Sequence, residues 1–119
     1  MSYDVYLEID TGGEYPCTVA DIGNMTSNVA PMWDHALNAT GTPGRLKDFG
    51  DYKMGMTGAE AAPLLERAVL HMEDPANHTT YRGMEPDNGW GSYKGALRCL
   101  RAILAACKEH PKAQLYFST

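Results

Sequence analysis

Apolar and polar residues alternate from the start of the chain: Tyr3, Val5, Leu7 and Ile9 interleave with Asp4, Tyr6, Glu8 and Asp10. A period of two sends one set to a core and the other to water, so this stretch predicts a half-buried strand. Thr11-Gly12-Gly13 supplies turn residues. Tyr15, Cys17 and Val19, set against Thr18, Ala20 and Ile22, then predict the returning strand of a β-hairpin. Pro16 cannot donate to a ladder, which puts the start of that strand at a sheet edge.

The period then lengthens. In "GNMTSNVAPMWDHALNATG", Val29, Trp33 and Ala36/Leu37 share one helical face, with Ser27 or Asn28 as N-cap, Pro31 in the first turn and Gly41 past the end. In "TGAEAAPLLERAVLHMEDP", Leu64, Leu65, Ala68, Val69 and Met72 form the stripe of a second helix. Thr57 and Glu60 have the spacing of a capping box, although Pro63 then requires a kink or a start nearer Ala61. A third helix carries Ala96, Leu97, Leu100, Ile103, Leu104 and Cys107 at helical spacing, capped by Ser92 and stopped at His110 by Pro111. Alternation returns at Ala113, Leu115 and Phe117.

The predicted order is β-β-α-α-α-β: an α+β domain spanning residues 1–119, with helices on one face of a small, mainly antiparallel three-stranded sheet. Docking the last strand beside the first gives strand order 2-1-3. Two connections, about residues 40–56 and 74–91, exceed the usual loop length and draw attention for that reason. The first holds one apolar pair, Leu46 and Phe49.

Composition narrows the function classes. A net charge of −5 without a Lys/Arg cluster argues against a nucleic-acid partner. No apolar run approaches the length of a membrane span. "MSYDVYLEID" reads as a strand rather than a signal peptide, so a reducing cytosol is expected and the three cysteines are expected to be buried free thiols. Cys99 and Cys107 fall about 12 Å apart along one helix, beyond disulfide reach.

The candidate chemistry gathers at "EPDNGWGSYKGALRCL". Gly89, Gly91 and Gly95 superficially match a dinucleotide fingerprint, but no strand of a βαβ unit precedes them. A glycine-rich turn entering a helix N-terminus still favours anions. With the helices running up-down-up, "GNMTSN" faces "NGWGSY". Asn24, Thr26, Ser27, Asn28, Asn88 and Ser92 then supply amides and hydroxyls, Trp90, Tyr93 and Tyr81 flat surfaces, and Arg82 or Lys94 a positive charge. The bland counterpart is that Ser92 caps the helix and Trp90 packs on the core. His71, Glu73, Asp74 and His78 lack any metal-ligand spacing and read as solvated surface. Asp34 and His35 are helix neighbours that do not face each other.

The segments "YDVYLEIDTGG", "GNMTSNVAPMW", "NGWGSYKGAL" and "AACKEHPKAQLYFS" together resemble a family of small uncharacterised bacteriophage and prophage proteins, many from actinobacterial hosts. Members often carry His where Ser27 stands here, so no metal role transfers to that position. The resemblance implies a setting, the cytosol of an infected bacterium, in which such proteins modulate host factors. The expected function is a non-catalytic accessory protein that binds a small polar ligand, most specifically an anionic nucleotide-like molecule, or a host protein. No cofactor, catalytic residue or metal ligand is expected, and no nucleic-acid or membrane partner. The alternatives are a homo-oligomeric interaction module using its sheet edge or tyrosines, and a small metal-dependent hydrolase.

Overall fold

The computed structural model describes residues 2–9, 17–50, 55–86 and 91–118. Strand β1 (Ser2–Ile9) lies at the centre of a three-stranded sheet, between β2 (Cys17–Thr26) and β3 (Gln114–Ser118). Both pairings are antiparallel, so the order is 2-1-3 as the pattern predicts. The expected turn at Thr11–Gly13 and the edge role of Pro16 lie outside the described residues.

Alternation does its work on this sheet. Val5, Leu7, Met25, Leu115 and Phe117 are buried on one face, beneath the helices. The opposite face presents Asp4, Tyr6 and Glu8 of β1, flanked across the register by Asn24, Asp21 and Thr18 of β2 and by Ser118, Tyr116 and Gln114 of β3. Two register shifts in β2, at Val5/Tyr6 and Leu7/Glu8, are bulges that bend the strand.

The described residues form four helices on the apolar side of the sheet: α1 (Ala30–Ala39), α2 (Gly58–Glu73), α3 (His78–Gly83), which packs against α2, and α4 (Tyr93–Glu109). The short α3 falls inside the connection read above as a long loop, and a 3-10 turn at Leu46–Gly50 buries the predicted pair Leu46 and Phe49. Helix α4 buries every residue of its predicted stripe and adds Tyr93. Trp33 of α1 is 1% exposed, and its indole N–H donates to the Ala96 carbonyl of α4 at 2.9 Å. That bond satisfies the ring's one polar group inside the core.

Helix α2 starts at its capping box, as Thr57 and Glu60 predict, and runs through the exposed Pro63. Proline there removes the N–H that would answer the Ala59 carbonyl and sets its ring against that same carbonyl. The first turn is tied to distant chain: Gly58 N–H donates to Ala113 and Ala59 N–H to Pro111, at 2.8 and 2.9 Å. A side chain on Gly58 would put its Cβ 2.5 Å from the carbonyl oxygens of Cys107 and His110, so only glycine fits where α2 meets the end of α4.

The start of α1 differs from expectation. Neither Ser27 nor Asn28 caps it: a 3-10 turn covers Ser27–Val29, and the cap residue is Val29, with no side-chain bond. Pro31 in the first helical turn removes one donor that a cap would otherwise serve. Thr26 Oγ1 instead accepts from the Asn28 N–H at 3.3 Å.

Candidate functional site

The N-terminus of α4 builds the candidate site. Ser92 holds extended backbone and its Oγ accepts the Gly95 N–H at 3.0 Å, a capping bond the sequence announces. Gly91 just before it has φ of 137°, a conformation natural to glycine. A Cβ there would sit 2.7 Å from Val29 Cγ1 and 3.6 Å from Thr26 Cγ2. The start of α4 therefore lies directly against the start of α1, and the two polar segments meet.

Beside this junction, Arg82, Glu85, Ser92, Tyr93 and Lys94 line a concavity of about 170 Å³. Its lining thus includes two cations and one carboxylate, at the positive end of a 17-residue helix. The helix dipole and the outward-pointing first-turn N–H groups add to the cationic side.

An aromatic cluster supports the floor of this cleft. The Tyr93 ring stacks on Tyr81 with centroids 5.8 Å apart, and the His78 ring lies against the same Tyr93 ring at 5.3 Å. The Tyr93 hydroxyl donates to the Met72 carbonyl. Tyr81 is fully buried, and its hydroxyl pairs with His71 Nδ1 at 2.5 Å. His35 of α1 completes the group, 5.9 Å from the His71 ring and 5.6 Å from Tyr81. Burial, followed by the neighbouring Tyr93, pushes the Tyr81 phenol up to about 12, and burial raises Tyr93 in the same direction. These hydroxyls hold three helices together.

The predicted site residues therefore separate. Arg82, Ser92 and Tyr93 line the cleft, and Thr26 touches its Gly91 border. Asn28 lies in the 3-10 turn, bound through its N–H to Thr26. Tyr81 is corrected from a ligand surface to a core residue, because its ring and hydroxyl are both already engaged. Asn24, expected to turn its amide toward the α4 entrance, lies instead in β2, where its Nδ2 donates to Asp4 Oδ1 at 2.9 Å on the open face. Asn88, Trp90 and the Ser27 side chain lie outside the described residues.

The histidines were missed. His71 and His35 read as unconnected polar positions, yet α1 and α2 bring them together over Tyr81. A signal was present: His71 continues the Leu64–Ala68 line at helical spacing, on the edge of the buried stripe. Asp34 turns away from His35, as expected, and its Oδ1 accepts the Leu46 N–H at 2.9 Å. Burial raises that carboxyl, and the Leu46 bond partly offsets the shift.

Among the described residues, no three His, Cys, Asp or Glu side chains converge as metal ligands would. All three cysteines are free; only Cys107 is buried, while Cys17 is exposed, correcting the expectation that the thiols are uniformly buried. No helix among the described residues is long and apolar enough to cross a membrane. Comparison with known proteins finds no matching family model, curated protein or solved structure.

Proposed function

We propose that this protein is a non-catalytic accessory protein that binds a small anionic ligand of nucleotide-like chemistry at the α4 N-terminus. The observation that carries this is the convergence of Arg82 and Lys94 on the 170 Å³ cleft at the capped start of α4. A phosphate group there would meet two charge-assisted donors and the helix dipole. Glu85 on the same cleft disfavours overly large negative charge. The resemblance to small phage and prophage proteins supplies the setting of an infected bacterial cytosol, where such a ligand-binding protein would act on host processes.

Calorimetric titration with inorganic phosphate and with ATP tests the proposal. Saturable binding is expected, weakened about tenfold by Arg82→Ala and by Lys94→Ala, with the melting temperature unchanged because both side chains are exposed. Absence of saturable binding, or affinity indifferent to both substitutions, sinks it. Ser92 is the wrong residue to test, since its loss uncaps α4 as well.

A further inference from the structure

Among the described residues, no helix packs on the open face of the sheet. Tyr6 occupies its centre, with Tyr116 stacked beside it at a centroid distance of 6.4 Å and an interplanar angle of 26°. Asp4 and Glu8 lie two residues to either side of Tyr6 along β1, and Asp21 lies directly across on β2. The backbone positions of all three thus lie within about 5–7 Å of that of Tyr6. Strands β1, β2 and β3 contain no Lys or Arg at all, so all ten cations of the chain lie elsewhere. The three ion pairs among the described residues, Arg45–Asp48, Arg101–Glu73 and Lys108–Glu66, leave the sheet carboxylates out. Asp4 takes one N–H from Asn24 and Asp21 one from Gly23, which leaves acceptor capacity on both.

We infer that this face docks an arginine-bearing basic segment of another protein. A guanidinium lying flat on Tyr6 and Tyr116 gains cation–π contact, and its N–H fork reaches the carboxylates around the rings. Lysine, a point charge without a stacking plane, fits this arrangement less well. The Tyr6 phenol is raised above its ordinary range by desolvation and then by Asp4, Asp21 and Glu8, the field that would attract a cation. A second copy of the chain docked face to face would oppose three carboxylates to three, at a cost. Among the described residues every helix lies on the other face, and residues 56–57 cover one end of the β3 edge through the Thr57–Gln114 bridge.

Fluorescence anisotropy with a labelled peptide of alternating Arg and Gly tests the inference. Binding should be salt-sensitive and fall about tenfold in the combined variant Asp4→Asn, Glu8→Gln, Asp21→Asn. It should fall about threefold in Tyr116→Ala, and about threefold when lysine replaces arginine in the peptide. Arg82→Ala and Lys94→Ala should leave it unchanged, which separates this face from the anion cleft. Chemical-shift mapping on the unaltered protein gives a readout that needs no variant: the peptide should move signals of Tyr6 and Tyr116. Shifts confined to other surfaces, equal affinity for the lysine peptide, full binding by the carboxamide variant, or sedimentation showing that the face is consumed by self-association would each overturn it.

Discussion

Two tyrosine pairs stack at nearly the same angle in this molecule, and they serve opposite ends. Tyr81 and Tyr93 meet at 29° among the helices, with their hydroxyls bound to His71 and to the Met72 carbonyl. Tyr6 and Tyr116 meet at 26° on the open sheet face, ringed by carboxylates. The first pair is spent on folding: its aromatic area is withdrawn from water and its polar atoms are paired inside. The second keeps its faces available. Ring geometry alone therefore says little about role; the partners of the hydroxyls and the charge around the rings decide it.

The contrast predicts a graded series of effects on stability. Tyr81→Ala removes a fully buried ring and should cost about 3–5 kcal/mol, read as a shift of the urea midpoint. A cost below about 1 kcal/mol would mean that the inner stack is not core. His71→Ala leaves the Tyr81 hydroxyl buried without its partner and should cost about 1–3 kcal/mol.

Alkaline pH probes the same hydroxyl. Above pH 10 the unfolded chain releases the Tyr81 proton while the folded chain retains it, so the contribution of this group is whole below pH 10 and declines as pH rises toward 12. The loss should be on the order of 2 kcal/mol, and Tyr81→Phe should flatten that part of the curve. Cys107, pushed up to about 11 by burial, adds a decline in the same direction that Tyr81→Phe leaves in place. Smallest of all, Tyr116→Ala should cost only about 0.2–1 kcal/mol, the scale of a single cross-strand pair. A much larger loss would make the outer stack structural and blur the distinction.

The pattern of the chain foretold most of the frame. Period-two alternation in β1 and β3, the stripe of α4 and the Thr57/Glu60 box all correspond to elements in the structure, because each is a local rule backed by burial. What escaped was either short or ambiguous. Helix α3 is only six residues, with β-branched Thr79 and Thr80, too brief to show a period. Asn24 groups with the α1 entrance in the sequence because the alternation that marks β2 fades after Ile22, although the strand runs on to Thr26. The cleft was legible in part: Ser92 declared itself as a cap, and Arg82 and Lys94 as nearby cations. The His35–His71–Tyr81 meeting depends on how three helices pack, which no single helix records.

The first turn of α2 has a consequence for how the chain reaches this state during synthesis. Gly58 and Ala59 donate their backbone protons to carbonyls at positions 113 and 111, and Gly58 nests against the last turn of α4. A nascent chain emerging from the ribosome exposes the start of α2 before those acceptors have emerged. Until they arrive, the entrance of α2 has its capping box but neither of these distant acceptors. The fold therefore closes from its far end, and truncation just before residue 111 should unsettle a helix that begins more than fifty positions upstream.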